Sequence, residues 1–255
     1  MGRRIAALLL LSTAVAVRGG IAHNHTLTVT DPNLGPIARR YLVGSSPPAW
    51  CTTPKSTPRP LVLGFHGQGH APEDWGPAAG LSALGAQHGW AVVFPAGLQE
   101  RIAGSSDSDV TWNCGTAGDD STCLAGTNGS QCLESCSRLG LCGGGGGAGG
   151  GLTARIRSSG RCNWATCWDD AAFIDQLLTT LLSTLCYDPS QIFLVGESNG
   201  AMFIHYLLAK FPGRFLAAAP AFGLPLMGYL VGPNYELLRQ RAVAVRHCCA
   251  AHRCS

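Results

Sequence analysis

The sequence predicts an α/β fold, in which a mostly parallel sheet is covered by helices on both faces. Short apolar segments bounded by glycine or proline are typical of buried strands, and four of them occur at 61–67, 90–97, 192–195 and 214–223. Segments with apolar residues at helical spacing lie between them. Because strands that alternate with helices form parallel sheets, the chain is expected to build a single α/β domain.

Helices are expected at 80–89, 168–186 and 199–213. The leucines of the second segment recur at positions that share one helix face, so this helix is expected to pack on the sheet. Asp169 or Asp170 is expected to cap its first turn by accepting hydrogen bonds from otherwise unpaired amides. The segment at 187–191 is expected to be a turn, and the proline-rich segment at 47–60 a surface connection.

The composition excludes one large class of partner. The chain has 255 residues, a formal net charge of +3 and only 13% charged residues. No basic stripe is present, so a nucleic acid is not an expected partner. A hydrophobic content of 46% favours a packed globular protein over a disordered one.

The N-terminus predicts a signal peptide at 1–22. Two arginines precede an apolar run at 5–17, which is too short to cross a bilayer, since a span takes roughly 20 residues. Small residues at 14–16 and 20–22 suit cleavage by a signal peptidase. Two alternatives remain open, a buried N-terminal helix and a signal anchor. After cleavage, no membrane span is expected in the mature protein.

Other features also indicate a secreted, extracellular protein. The chain has 12 cysteines, a number that is rare in reducing compartments unless metal or redox chemistry is involved. Asn24 and Asn128 lie in glycosylation sequons, which are open to modification on a secretory route. Secretion is therefore the expected localisation, with a glycosylated and disulfide-bonded product.

The chain is expected to divide into a lead-in at 23–59, the α/β domain at 60–230 and an atypical tail at 231–255. The segment 114–167 interrupts the domain with seven cysteines and the run "GGGGGAGGG". Such a composition builds no core, so it is expected to be a disulfide-held insertion with a flexible linker inside it. Its odd cysteine count predicts a pairing outside the insertion, with Cys51 or Cys186 as candidates. We expect the insertion to lie near the rim of the site.

The stretch "QIFLVGESNGAMF" contains the candidate nucleophile, Ser198. The pattern GxSxG arises by chance in glycine-rich chains, so its context carries the inference: an apolar strand precedes it and an amphipathic helix follows. Side chains at Gly196 and Gly200 would collide with neighbouring elements at such a turn. Glu197 completes the motif, and the amide of Asn199 is expected to stabilise an oxyanion at the helix N-terminus.

A second oxyanion donor is expected from the segment "FHGQGH", which follows an earlier strand. Its glycines allow the backbone amides to turn towards a substrate carbonyl. Gln68 or Gly67 is the expected donor, with His66 in the same loop. The alternative is an ordinary glycine-rich turn.

Four segments of the chain together carry a family resemblance: "LVLGFHGQGHAPEDW", "VVFPAGL", "WDDAAFIDQLL" and "DPSQIFLVGESNGAMFIHYLLAKFPGRFLAAAPAFGLP". They resemble the extracellular polyhydroxybutyrate depolymerase and feruloyl esterase group of the α/β-hydrolase superfamily. The resemblance covers 60–97 and 167–226. It implies a secreted serine esterase, without metal or cofactor, that forms an acyl-enzyme on Ser198. It also implies an oxyanion hole made by Asn199 and the loop of His66, Gly67 and Gln68. The implied substrates are a polyhydroxyalkanoate, which is itself a polyester, or aromatic esters on plant cell-wall polysaccharide.

The region after the nucleophile departs from this family's pattern. An α/β-hydrolase brings its acid and then its histidine on loops that follow the nucleophile. After Ser198 the chain has no aspartate, and its only acid is Glu236. Its histidines there are His205, expected to be a structural helix residue, and His247 and His252. The acid and base are therefore unknown, and the chain as written is expected to be poorly active.

The tail has three interpretations. Three cysteines and two histidines occur in the last nine residues, which suggests metal ligands, although the spacing fits no closed zinc site. The favoured interpretation is a truncated or frame-shifted end of the coding sequence. A tail that folds back would instead allow His247 or His252 to act as the base. Two other functions also remain open: a secreted binding protein without catalysis, and a serine peptidase of the same fold.

Overall fold

The structure of the protein is a computed structural model, which describes residues 13–17, 20–45, 58–114, 133–139, 166–185, 187–224 and 244–245. The strands in these ranges are β1 (Thr13–Val17), β2 (Gly20–Asp31), β3 (Gly35–Ser45), β4 (Arg59–Phe65), β5 (Ala91–Pro95), β6 (Leu98–Arg101), β7 (Ser108–Thr111), β8 (Tyr187–Glu197), β9 (Ala217–Ala221) and β10 (Ala244–Val245). The helices are α1 (Pro72–Ala78), α2 (Leu81–His88), α3 (Glu134–Arg138), α4 (Asp170–Leu185) and α5 (Asn199–Lys210).

The described strands form a large central sheet and a small hairpin. The central sheet has the order β1-β2-β3-β5-β4-β8-β9-β10, and β6 pairs with β7 separately. β4 runs parallel to β5 and β8, and β9 runs parallel to β8 and β10. β1, β2 and β3 extend the sheet by antiparallel pairing. The predicted mostly parallel sheet is confirmed.

The two faces of the sheet are covered by different helices. Leu61 and Leu63 of β4 belong to the larger apolar cluster, which also contains large apolar side chains of α4 and α5. Val62 belongs to a second cluster with Trp75 of α1 and Phe94 of β5. Because successive side chains of a strand point to opposite faces, these clusters lie on opposite sides of the sheet. Helices on both faces, as the sequence predicts, are therefore confirmed.

The predicted helices are present, with bounds close to those expected. The cap of α4 is Asp169, whose Oδ1 accepts a hydrogen bond from the amide of Ala172 at 2.9 Å. Gly89 ends α2 with φ 67°, a backbone conformation that glycine adopts without strain. The short helix α1 was not predicted.

The lead-in at 23–59 contains two strands that the sequence analysis did not predict. The hairpin of β2 and β3 joins the sheet beside β5, and Asp31 holds its turn by accepting hydrogen bonds from the amides of Asn33 and Leu34. The alternation of exposed threonines with buried Leu27 and Val29 is a period-two signal that could have predicted β2. Positions 13–17 and 20–22, within the predicted signal peptide, lie in β1 and β2.

The turn predicted at 187–191 is instead the irregular start of β8. Strand pairing with β4 shifts register between Tyr187 and Ile192, and Asp188 Oδ1 accepts a hydrogen bond from the amide of Ser190 at 2.9 Å. The proline and aspartate therefore interrupt a strand where a connection between elements was expected.

Part of the insertion at 114–167 is described. Helix α3 lies within it, and a disulfide joins Cys136 to Cys167. Glu100 of β6 accepts hydrogen bonds from the amide and hydroxyl of Ser135 and from the hydroxyl of Thr166. The disulfide thus joins two parts of the insertion, and the buried carboxylate of Glu100 ties both parts to the hairpin.

Several predicted features lie outside the described residues: Asn128, Cys51, Cys186, Glu236, His247, His252, and the tail at 231–255 apart from β10. Asn24 is half-buried on β2. In the ranges given above, no helix combines the length and apolar character that a membrane crossing requires.

Candidate active site

Ser198 lies at a sharp turn between the end of β8 and the start of α5. Its backbone has φ 51° and ψ −118°, values typical of the first central position of a type II′ turn, which glycine dominates. The Ser198 amide donates to the carbonyl of Ala221 at 2.9 Å, and its carbonyl accepts from the amide of Met202 at 3.0 Å. A non-glycine residue in such a conformation costs about 1–3 kcal/mol, so surrounding contacts must hold it there.

Glycines let the backbone approach closely around Ser198. A Cβ on Gly200 would lie 2.5 Å from the carbonyl oxygens of both Phe65 and His66. A Cβ on Gly196 would lie 2.9 Å from Ile204 Cδ1, and one on Gly223 would lie 2.3 Å from the Ser198 oxygen. Helix α5 therefore begins in contact with the end of β4, an approach that larger residues would prevent.

The residues beside Ser198 are fixed by side-chain hydrogen bonds. Glu197 Oε2 accepts from the indole nitrogen of Trp75 at 2.6 Å. Asn199 is buried, and its Oδ1 accepts from the amide of Trp112 at 2.7 Å. Because Asn199 is the first residue of α5, its own amide has no carbonyl one turn earlier in the helix. Amides in the first turn of a helix can bind an anion, which is the role that the sequence analysis expects of Asn199.

His66, at the end of β4, is a buried structural residue. Its Nδ1 donates to the carbonyl of Gly67 at 2.8 Å, and its Nε2 accepts from the amide of Gly97 at 2.8 Å. Burial lowers the pKa of His66 from 6.5 to about 4, so the ring is neutral near pH 7. With both ring nitrogens engaged, His66 does not serve as the base for Ser198.

The loop that follows His66 lies directly against Ser198. The point that a Cβ of Gly67 would occupy is 3.3 Å from Ser198 Cβ and 3.8 Å from His70 Nδ1. The Gly67 carbonyl accepts from the amide of His70 at 3.3 Å, which closes a turn around Gln68. The structure thus brings together Ser198, Asn199 and the predicted oxyanion loop.

The base and the acid, which the sequence analysis leaves unknown, remain unassigned. His205 is buried in α5, in agreement with its expected role as a structural helix residue. Glu236, His247 and His252 lie outside the described ranges. Among the described residues, no group of three or more histidine, cysteine, aspartate or glutamate side chains is arranged to hold a metal ion.

Trp112 is a buried residue of the site that the sequence analysis missed. Its ring stacks on Phe203 of α5 at 5.1 Å between centroids, and its indole nitrogen donates to the carbonyl of His66 at 3.0 Å. Its amide is bonded to Asn199. No motif marks Trp112 in the sequence, because its partners are distant in the chain.

A buried ion pair lies at the same end of the sheet. Asp170, at the start of α4, pairs with Arg39 of β3 and accepts a hydrogen bond from the amide of Asn113 at 2.7 Å. Burial raises the pKa of the Asp170 carboxyl, while the charge of Arg39 opposes this rise. The pair fixes the segment after β7 to the start of α4, and so supports Trp112 next to it.

The sheet, its helices and the turn at Ser198 together have the features of one fold class. A mostly parallel sheet with helices on both faces, and a strained serine turn between a strand and a helix, are features of the α/β-hydrolase fold.

Comparisons with known proteins give distant structural matches. The chain is similar to an acetyl xylan esterase from Aspergillus awamori, with 17% identity, a TM-score of 0.43, and coverage of 81% of this chain and 54% of the other. It is similar to a poly(3-hydroxybutyrate) depolymerase from Bordetella parapertussis, with 16% identity, a TM-score of 0.41, and coverage of 83% of this chain and 52% of the other. It is also similar to an S-formylglutathione hydrolase from Agrobacterium tumefaciens, with 14% identity, a TM-score of 0.44, and coverage of 92% of this chain and 68% of the other.

No family model matches the sequence, and no curated protein matches it either. The chain spans about half the length of the first two structures, 54% and 52%. Likenesses this distant assign no activity, so the function must be argued from the site.

Proposed function

We propose that the protein is a secreted serine hydrolase of carboxylic esters, with Ser198 as its nucleophile. The observation that carries the proposal is the glycine-like backbone of Ser198 at the junction of β8 and α5. A strained, half-exposed serine at this position is the geometry that presents a hydroxyl at the end of a strand. Its neighbours on both sides are fixed by hydrogen bonds, which supports a preorganised site.

The proposed reaction proceeds through an acyl-enzyme. Ser198 Oγ forms a bond to the ester carbonyl carbon and loses its proton to a general base, and the carbonyl π electrons move to the oxygen. The amides of Asn199 and of Gln68 or Gly67 stabilise this oxyanion, a contribution typically worth about 10²–10³-fold in rate per donor. Collapse of the intermediate breaks the bond to the alkoxy group, which takes the proton from the base and leaves as the alcohol. Water then adds to the acyl carbon, and the acid is released as Ser198 regains its proton.

No described residue is assigned as the base or the acid. His66 is neutral with both nitrogens engaged, and His205 is buried in α5. Without an activated hydroxyl, a serine hydrolase retains only the contributions of the oxyanion hole and of binding.

The proposed substrate is a polyhydroxyalkanoate, whose chain is linked by ester bonds, or an aromatic ester on plant cell-wall polysaccharide. This part of the proposal is supported by the sequence resemblance described above. Secretion is supported by the predicted signal peptide, the cysteine content and the disulfide between Cys136 and Cys167. Clearing of polyhydroxybutyrate films, compared with hydrolysis of methyl ferulate, separates the two substrate classes.

The proposal is tested by hydrolysis of p-nitrophenyl butyrate. The Ser198→Ala variant is expected to reduce the protein-dependent rate to background, because the acyl-enzyme can no longer form. Ser183→Ala is a matched control: its hydroxyl is exposed on α4 and bonds only to the carbonyl of Thr180. That variant is expected to keep the wild-type rate.

Two outcomes would contradict the proposal. Hydrolysis that survives in Ser198→Ala would place the chemistry elsewhere. Saturable binding of the ester without any turnover by the wild-type protein would favour the non-catalytic binding protein. A p-nitroanilide substrate, run in parallel, distinguishes an esterase from a peptidase of the same fold.

A further inference from the structure

The hairpin of β6 and β7 is attached to the loop that carries the second oxyanion donor. On β7, Asp109 Oδ2 accepts a hydrogen bond from the side-chain amide of Gln68. The next residue, Val110, accepts a hydrogen bond from the amide of Gly69 at 2.9 Å. The side chain of Gln68 and the backbone that follows it are thus both bonded to β7.

The carboxylate of Asp109 lies close to the turn that this loop makes at Gly69. Gly69 has φ 72°, and the point that its Cβ would occupy is 3.9 Å from Asp109 Oδ1. The same oxygen accepts a hydrogen bond from the amide of Val110 at 2.8 Å, which orients the carboxylate. Among the described residues Asp109 forms no ion pair, so its partners are N–H donors of the loop and of its own strand.

The other end of the same segment is bonded to the first oxyanion donor. The amide of Trp112 donates to the side chain of Asn199, and its indole nitrogen donates to the carbonyl of His66. Residues 109–112 therefore contact both halves of the expected oxyanion hole. We call this segment the oxyanion brace.

We propose that Asp109 is a positioning residue, which sets the orientation of the Gln68 amide through its hydrogen bond to the Gln68 side chain. This inference rests on the proposed function of Ser198. A hydrogen bond to a carboxylate is stronger than one to a neutral acceptor, so Asp109 holds the loop more firmly than an uncharged residue would. Small displacements of a donor weaken transition-state stabilisation more than substrate binding, because the oxyanion exists only after attack.

The Asp109→Ala variant is expected to lower kcat about 10-fold to 100-fold on p-nitrophenyl butyrate, with KM changed less than about twofold. Asp109→Asn is expected to recover much of this loss, since its amide oxygen can still accept from Gln68. Asp107→Ala is the matched control: it removes the same charge from an exposed position of the same hairpin and is expected to keep the wild-type kcat.

A double-mutant cycle separates this role from a general loss of stability. If Asp109 acts through the Gln68 side chain, Asp109→Ala and Gln68→Ala each lower kcat, and the double variant is no slower than the slower single variant. Additive losses, or a wild-type kcat in Asp109→Ala, would overturn the proposal. So would a loss that only follows the unfolded fraction measured by circular dichroism.

Hydrogen exchange gives a readout that does not depend on turnover. Asp109→Ala is expected to exchange the amides of 68–70 faster than the wild type, while Asp107→Ala leaves them unchanged. If the amides of 68–70 exchange faster in Asp109→Ala but the wild-type protein hydrolyses no ester, the proposed function is rejected. The structural role of the oxyanion brace is then retained. Ser198-dependent hydrolysis with kcat and exchange both unaffected by Asp109→Ala would reject the brace and keep the function.

Discussion

Ser198 holds a conformation that glycine would adopt more easily, at a position where glycine could not react. Its φ of 51° and ψ of −118° place strain of about 1–3 kcal/mol at the turn. The contacts that fix it come from Ala221 and Met202, on different elements. Strain maintained by surrounding structure is expected where a reactive group must be presented.

The Ser198→Gly variant is therefore expected to be more stable than Ser198→Ala, with a free energy of unfolding that is larger by about 1 kcal/mol. Both variants lack the hydroxyl, but only glycine relieves the strain, which outweighs the greater freedom of glycine in the unfolded chain. Urea denaturation of the two variants measures the difference. A less stable Ser198→Gly variant would show that the turn is not strained.

His66 makes stability depend on pH. Its pKa is about 4 in the folded protein and 6.5 in the unfolded chain, so the unfolded chain binds the proton first as pH falls. The stabilisation that depends on a neutral His66 is complete above pH 6.5, and it is lost as the pH falls to about 4. Burial is the main cause of the lowered pKa of His66. The hydrogen bond with the Gly67 carbonyl and the charge of Glu73 oppose this shift, and the charges of His70 and Arg39 add to it.

The measured quantity is the difference in unfolding free energy between wild type and His66→Gln, followed over pH. This difference is expected to shrink by about 3 kcal/mol between pH 6.5 and pH 4. Comparison with His66→Gln removes the effects of the carboxylates, which titrate in both proteins. A difference that stays constant, or grows in acid, would mean that His66 is not buried in its neutral form.

At the scale of elements, the start of α5 is positioned by its contact with the end of β4. Gly200→Ala places a Cβ 2.5 Å from two backbone carbonyls, so helix and strand must separate. Gly104→Ala is the comparison, because its φ of 81° imposes strain but a Cβ there meets nothing within 4 Å. Gly200→Ala is expected to lower the melting temperature well below that of Gly104→Ala. Equal effects would show that close approach of α5 is unnecessary.

How far the sequence predicts an element depends on whether its signal is local. The strands and helices around Ser198 carry clear periodicity, and the structure contains them. The β2–β3 hairpin is not among the predicted elements, although Leu27 and Val29 alternate with threonines in its first strand. Asp109 and Trp112 could not be predicted as site residues: their contacts with Gln68 and Asn199 join positions 41 and 87 apart.

At the scale of the whole molecule, the topology gathers the site at one edge of the sheet. β4, β8 and β9 are parallel neighbours, so the loop after Phe65, the turn at Ser198 and the segment after Ala221 meet at their carboxyl ends. Ligands bind at this edge in open α/β sheets. The buried pair of Arg39 and Asp170 links β3 and α4 to the segment beside this edge.

In the proposed reaction, the folded protein presents one hydroxyl, that of Ser198, for nucleophilic attack. The most direct test is reaction of the native protein with an alkyl fluorophosphonate, followed by mass-spectrometric location of the adduct. A single adduct on Ser198, absent from urea-unfolded protein and from Ser198→Ala but kept in Ser183→Ala, is the predicted result. Adducts spread over several serines, or a native protein with Ser198 unmodified, would contradict the account.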